Sequence, residues 1–288
     1  MTIQGAYKQL LANLYELYSD REAANIADWV IEHVTGQSKI SRILYKDLPV
    51  RLEQQERLQN ITSQLLAHKP VQYVLNEVWF AGLKFFVNEH VLIPRPETEE
   101  LVEWIAHDLK KLTREAQHEM SLLDVGTGSG CIPVSLKKQI PAMKVSALDI
   151  SAQALDVARR NATDQQTKID FFKVDFLDTK TWNQFPKFDI IVSNPPYIKQ
   201  HEAGNMAKNV LDYEPSIALF VADDDALIFY KAIVVFAQQH LTTNGCVYVE
   251  INEELGAEVI DTFKRQGYTK IEMRKDLQGK DRMIKAGR

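Results

Sequence analysis

Apolar positions along this chain follow two different rhythms. Over roughly the first 75 residues they recur every three or four positions, the spacing of one helix face. Tyr7, Leu10, Leu11, Leu14 and Leu17 form a first stripe. Ser19 and Asp20 offer a cap for a second helix, whose Ala23, Ala27, Val30, Ile31 and Val34 face one way and which Gly36 ends. Ser38 can cap a short third helix carrying Ile40, Ile43 and Leu44, and a fourth carries Leu52, Leu58, Ile61, Leu65 and Leu66 before Pro70. Short amphipathic helices cannot bury their stripes alone, so the four are expected to pack on one another as a small bundle.

Between about 73 and 93 the pattern turns aromatic and β-branched: Val78-Trp79-Phe80, a break at Ala81-Gly82, then Leu83 to Val87. That predicts a β-hairpin joining two units. The prolines of Leu92-Ile93-Pro94-Arg95-Pro96-Glu97-Thr98-Glu99 stop any element from running through that segment, and a helix with Leu101, Val102, Ile105 and Leu109 starts after Pro96. From Leu122 onward short apolar runs alternate with amphipathic segments, the signature of a parallel sheet with crossover helices. Strands are expected near 121–125, 144–149, 169–174, 188–193, 246–251, 269–273 and 282–286, and helices near 131–140, 151–162, 223–241 and 253–266. The last two strands, parted by a turn at Gly279, should pair antiparallel. The predicted organisation is therefore a helical bundle over 1–75, a hairpin linker over 76–93 and an α/β domain over 94–288.

Composition narrows the field. With 45% hydrophobic and 25% charged residues the chain is an ordinary globular one, and a net charge of −5 does not suit a protein held to nucleic acid by phosphate attraction. Cys131 and Cys246 lie far apart in apolar runs and read as small buried hydrophobes; the scattered histidines offer no metal site. Lys8, Glu16, Asp20, Arg21 and Glu22 interrupt any signal-peptide core, and no apolar run approaches the roughly 20 residues of a membrane helix. A cytoplasmic protein with no membrane contact is the expectation.

The candidate chemistry sits at predicted strand ends. Asp124-Val125-Gly126-Thr127-Gly128-Ser129-Gly130 crosses a strand-to-helix turn, where glycines permit a sharp bend and close approach to a ligand. Its spacing is not GxGxxG, which disfavours a nicotinamide cofactor. Asp149 ends the next strand, where a carboxylate can accept both ribose hydroxyls of an adenosine. Asp175-Phe176 ends the third; Asp175 could accept from an adenine amino group and Phe176 could pack on the ring, although a core phenylalanine and a loop cap fit as well. The fourth strand runs into Asn194-Pro195-Pro196-Tyr197. A planar nitrogen is a poor nucleophile because its lone pair is delocalised. Accepting its two hydrogens on the Asn194 side-chain oxygen and the Pro195 carbonyl would orient it and stabilise developing positive charge, with Tyr197 offering a flat face.

The glycine loop, Asp149 and Asn194-Pro195-Pro196-Tyr197, in that order, resemble the class I methyltransferases that act on planar nitrogens. More closely, the chain resembles the HemK/PrmC family of release-factor glutamine methyltransferases. The similarity extends through Val71-Gln72-Tyr73-Val74, the hairpin, Leu92 to Glu99, Val192 to Ile198, Tyr213-Glu214-Pro215 with Ala218-Leu219, and Asp281-Arg282. The resemblance implies a Rossmann-like, seven-stranded, mostly parallel sheet behind an N-terminal helical bundle that docks the substrate. It implies S-adenosyl-L-methionine as cofactor, held by Gly126, Thr127, Gly128, Ser129, Gly130, Asp149, Phe176 and Asn194, to which the reading of the third strand end adds Asp175. The implied substrate is the Gly-Gly-Gln glutamine of bacterial peptide-chain release factors, contacted by Asn194, Pro195, Pro196 and Tyr197, with Asn194, Pro195 and Tyr197 catalytic and no metal. A monomer without direct DNA binding is expected. Arg95 and Thr98 stand equally for a place near the active site and for a structural hinge. The rivals are a glutamine methyltransferase acting on a large-subunit ribosomal protein, a DNA adenine methyltransferase (which lacks its basic recognition insertion here), and an interaction module whose chemistry is lost.

Overall fold

A computed structural model describes residues 1–113 and 120–288. The chain forms two compact units, Met1–Glu77 with Ala207–Tyr213, and Val78–Met206 with Glu214–Arg288.

The first unit is helical: α1 (Ile3–Leu14), α2 (Asp20–Thr35), α3 (Lys39–Leu44), α4 (Leu52–Leu66) and α5 (Val71–Leu75). The side chains of Ser19 and Ser38 cap α2 and α3, and Gly36 closes α2 in the left-handed conformation, φ +71°. Leu10, Leu14, Ala23, Ala27, Val30, Ile31 and Leu65 meet in its core. The expected inward stripe of the third helix is wrong. Ile40, Ile43 and Leu44 are 73%, 62% and 70% exposed, and the buried residue of α3 is Arg42. Its guanidinium pairs with Asp28 and lies 3.7 Å from the centre of the Tyr7 ring. A helix of six residues has too little apolar area to fix its own rotation, so one buried, paired charge decides which side faces in. Leu17, Leu52 and Leu66 are also exposed, lying beyond or at the ends of their helices. Helix α5, which follows Pro70, was not anticipated.

The second unit opens with a hairpin, β1 (Val78–Phe80) and β2 (Leu83–Phe85), turning at Ala81 (φ +49°) and Gly82 (φ +74°). Two positive φ angles in a two-residue loop match the twist of the strands it joins. Helix α6 (Pro96–Lys110) follows, with Pro96 in its first turn and Leu101, Val102, Ile105 and Leu109 buried. Then come β3 (Ser121–Val125), α7 (Cys131–Gln139), β4 (Lys144–Asp149), α8 (Ala152–Asp164), β5 (Asp170–Lys173), β6 (Phe188–Ser193), β7 (Ile198–Lys199), β8 (Phe220–Val221), α9 (Ile228–His240), β9 (Leu241–Glu250), α10 (Gly256–Arg265), β10 (Lys270–Lys275) and β11 (Asp281–Gly287). Seven of these strands form one sheet in the order β10-β11-β9-β6-β3-β4-β5. Pairs from β9 to β5 are parallel; β11 runs antiparallel to both β9 and β10, as expected of the terminal strands. Strand β9 starts at Leu241, earlier than the 246 the pattern suggested. The register skips between Phe188 and Ile190, so the pairing of Leu241 with Phe188 is followed by Cys246 with Ile190. The short pair β7–β8 lies between stretches that carried no periodic signal. Among the described residues no helix is long and apolar enough to cross a membrane.

Register places the site. Val125 pairs with Leu148 on one side and with Ser193 on the other, so the loops that leave β3, β4 and β6 emerge side by side. This is the carboxyl edge where the strand order reverses, the ligand-binding edge of open α/β sheets. The Ser193 hydroxyl donates to the Val125 carbonyl at 2.7 Å and pins two of those ends together.

Candidate active site

The loops from β3, β4, β5 and β6 wall a cleft with a cavity volume of about 280 Å³. Gly126 and Gly128 line it, with Asp149, Ile150, Asp175, Phe176, Asn194, Pro195 and Pro196. The glycine loop is held against β4 by the Gly126 and Thr127 amides, both donating to the Leu148 carbonyl. Gly128 has φ +52°, and a Cβ there would meet nothing within 4 Å, so its backbone faces open space. Gly130 differs. At φ +78° an added Cβ would lie 3.1 Å from the Ala158 Cβ, so this glycine serves the close approach of α7 and α8. Thr127 and Ser129 are buried and do not line the cleft. Of the five loop residues expected at a cofactor, the structure brings two to the cavity wall.

The Asp149 carboxylate is fixed by backbone: the Gly128 amide donates to Oδ2 at 2.8 Å and the Ser151 amide to Oδ1 at 2.9 Å. Burial nevertheless raises its pKa above the usual carboxylate value, these two bonds opposing the shift. Asp175 accepts from the Leu177 amide at 3.0 Å and stays exposed. Phe176 fills both of the roles left open for it. It is 4% exposed and packs on Trp182 and Phe236, at ring separations of 5.5 and 5.3 Å, while also forming part of the cleft wall.

Asn194 sits at the other side of the cleft. Its Nδ2 donates to the Thr98 hydroxyl at 3.0 Å, and that hydroxyl donates to Glu250 Oε2 at 2.6 Å. Among the described residues neither Asn194 Oδ1 nor the Pro195 carbonyl accepts a hydrogen bond. Tyr197 is outside the cleft lining; its ring packs on the sheet core and its hydroxyl lies 3.4 Å from Glu250 Oε1. Burial raises the Tyr197 phenol well above its ordinary value, with the Glu250 charge adding to the shift. Glu250, at the end of β9, is itself wholly buried. Burial pushes its carboxyl up to about 7 against the Thr98 hydrogen bond and the Arg282 charge. Asp124 near the end of β3 is likewise raised to about 7 by burial, and among the described residues neither of its carboxyl oxygens has a hydrogen-bond partner.

The proline-rich segment before α6 is anchored beside the site. Glu214 is buried; its Oε1 accepts from Arg95 at 2.7 Å and its Oε2 from the Ile93 amide at 3.2 Å. These bonds join Leu92 to Glu99 with Glu214-Pro215, two segments distant in sequence. Arg95 is thus part of a structural tie, whereas Thr98 is in contact with Asn194. Sequence reasoning did not single out Glu250, since one glutamate after an apolar strand carries no signal. His90, Ile217 and Phe229 also line the cleft unannounced.

Comparison with known proteins adds the lineage. Residues 6–75 match the family model described as the PrmC N-terminal domain, and residues 107–214 match that of the methyltransferase small domain. The chain is 40% identical to the release factor glutamine methyltransferase of Flavobacterium psychrophilum over 99% of both chains. It is 37% identical to that of Bacteroides thetaiotaomicron over 96% of each. Among solved structures the hMettl16 catalytic domain, in complex with a MAT2A 3′UTR hairpin, overlays with TM-score 0.54 at 15% identity, covering 84% of each chain, a likeness of fold. By sequence identity over nearly its whole length, the chain belongs to the release factor glutamine methyltransferase family.

Proposed function

We propose that this protein transfers a methyl group from S-adenosylmethionine to the side-chain amide nitrogen of the glutamine in the Gly-Gly-Gln motif of bacterial peptide-chain release factors. The observation that carries the reading is the polarity of the Asn194 amide. Its nitrogen is committed to Thr98, Asn194 and Pro195 both line the cleft, and among the described residues the Asn194 oxygen and the Pro195 carbonyl have no donor. Two acceptors on one stiff loop suit the two hydrogens of a primary amide.

The far end of the same cleft fits the cofactor. Gly126 and Gly128 leave backbone open to it, Asp149 is held in place by two amides with lone pairs remaining for ribose hydroxyls, and Ile150, Val174 and Phe176 supply an apolar wall for a purine. Bound there, S-adenosylmethionine supplies an electrophilic methyl group on a sulfonium. The rest is the work of the chain. Asn194 Oδ1 and the Pro195 carbonyl accept the amide hydrogens, turn the nitrogen towards the cofactor end and stabilise positive charge as its delocalisation is lost. Pro195 and Pro196 keep the loop rigid and contribute no competing N–H donors. Once the methyl–sulfur bond has broken and the N–CH3 bond has formed, the nitrogen is cationic and strongly acidic, so its proton passes to water without a side-chain base. The first unit is assigned to docking of the protein substrate.

Asn194→Ala tests this. Cofactor affinity, read by equilibrium dialysis, should stay within a few-fold, while turnover on a release factor falls at least about 100-fold. A fully active Asn194→Ala enzyme would sink the mechanism. Labelled S-adenosylmethionine should mark a release factor and not one whose tripeptide glutamine is changed to alanine; labelling of DNA or of a ribosomal protein instead would overturn the substrate assignment.

A further inference from the structure

A primary carboxamide has two orientations of similar shape, and only one of them turns the Asn194 oxygen to the cleft. We propose that Thr98 and Glu250 are positioning residues that select this orientation through the chain Asn194 Nδ2–H to Thr98 Oγ1–H to Glu250, and that turnover depends on it. The inference rests on the reading of Asn194 given above.

Hydrogen-bond direction carries the argument. Above about pH 7 the Glu250 carboxyl is ionised and has no hydrogen to give, so at 2.6 Å the Thr98 hydroxyl is the donor to Glu250 Oε2. With its one hydrogen spent there, Thr98 Oγ1 can only accept from its other neighbour. That neighbour, 3.0 Å away, is the Asn194 side chain, which must therefore present Nδ2 to Thr98 and Oδ1 to the cleft. The reversed amide would set two oxygen lone pairs against each other inside the protein.

Every part of the chain is held. Thr98 is 2% exposed in the first turn of α6, whose Leu101, Val102 and Ile105 are buried beneath it. Glu250 is 1% exposed at the end of β9. Its backbone carbonyl accepts from the Tyr230 hydroxyl at 3.1 Å, and its other carboxylate oxygen faces Tyr197. Arg282 is anchored near it by Asp276 and by the Ile251 carbonyl. A buried carboxyl is costly to ionise, and one whose oxygens serve, among the described residues, a threonine and a tyrosine is not explained by stability alone. Fixing the polarity of the neighbouring amide gives it a use, and gives Tyr197 a place in the arrangement away from the cleft wall.

Thr98→Val keeps the shape and removes the hydroxyl; Thr98→Ser keeps the hydroxyl. The expected result for Thr98→Val is a fall in kcat of roughly 10- to 100-fold, with KM for the release factor and cofactor affinity each within about threefold of wild type. Thr98→Ser should recover most of the lost turnover. Glu250→Gln, whose amide can donate to Thr98 and reverse the chain, should lower kcat in the same selective way. Thermal unfolding of each variant verifies that the protein assayed is folded. Wild-type kcat in folded Thr98→Val, or equal loss in the valine and serine variants, would overturn the relay. If Asn194→Ala is inactive while Thr98→Val is fully active, the relay fails and the amide clamp stands. If Asn194→Ala is itself active, the clamp fails first.

Discussion

Gly128 and Gly130 are two residues apart in one loop and respond to different demands. Gly128 borders the cleft with room for a methyl group, so Gly128→Ala meets only the left-handed backbone, about 1 kcal/mol. Its larger effect is expected on the cofactor, whose approach the new Cβ would obstruct. Gly130→Ala adds contacts of 3.1 and 3.3 Å with Ala158 to the same backbone strain, and should lose about 2 kcal/mol or more of stability. Denaturant unfolding and equilibrium dialysis on both variants separate the two. Equal stability losses would show that α7 and α8 are not in close contact at Gly130. Asn194 offers the same lesson: its residue type suggests an amide clamp, but its amide nitrogen is bonded to Thr98, a residue outside the tetrapeptide.

At the level of elements, α3 and the hairpin show how a few polar groups set placement. Arg42, paired with Asp28, turns Ile40, Ile43 and Leu44 outward. Leu10→Ala, in the core of the first unit, should therefore cost about 2–5 kcal/mol, whereas Ile40→Ala should change stability by no more than about 0.5 kcal/mol. Comparable losses in urea unfolding would mean that Ile40 is buried in solution. In the second unit Asn161 is buried in α8 and bonded on three sides. Its Oδ1 accepts from the Phe86 amide at 2.7 Å, and its Nδ2 donates to the Phe86 and Ser129 carbonyls, each at 2.9 Å. One side chain thus ties the hairpin exit to the glycine loop. Asn161→Leu leaves those groups unpaired, so a loss of about 2–4 kcal/mol and weaker cofactor binding are expected from unfolding and dialysis. An unchanged cofactor affinity would separate the hairpin from the loop.

Across the whole molecule, the seven-stranded sheet gathers several buried carboxyls at one edge, and this sets a pH dependence. Asp124 and Glu250 are both raised to about 7 by burial, so the folded protein retains protons that the unfolded chain has already released. Their stabilising contribution is complete below about pH 4, declines as pH rises, and is lost above about 7, by at most about 1.4 kcal/mol per group and pH unit. Asp108 acts oppositely: despite burial, Lys285, Lys111 and Tyr248 hold it below the usual range, so its contribution disappears in acid. Without cofactor, thermal unfolding should occur at a lower temperature at pH 8 than at pH 6, and Asp124→Asn should flatten that slope. A midpoint that rises from pH 6 to pH 8 would contradict the assignment.

Much of this was legible along the chain. The α2 stripe, its Ser19 and Gly36 ends, the hairpin turn at Ala81-Gly82 and the strands over 121–125, 144–149 and 188–193 follow from periodicity, capping and turn chemistry. These are local rules, satisfied by residues a few positions apart. The motifs at the strand ends marked Gly126, Gly128, Asp149, Phe176 and Asn194 before any fold was known, because strand ends are where an α/β sheet meets its ligands. What local pattern could not decide was every question settled by a partner far away in sequence. The rotation of α3 depends on Asp28, the withdrawal of Tyr197 from the cleft on Glu250, and the separation of Arg95 from Thr98 in role on Glu214 and Asn194. A side chain's neighbours across a fold are fixed by strand register and helix packing, and a buried polar group takes whichever partner they provide. The sequence alone therefore determined the kind of chemistry expected and its address on the sheet; the tertiary structure decided which of the marked residues line the cleft and which partners hold them.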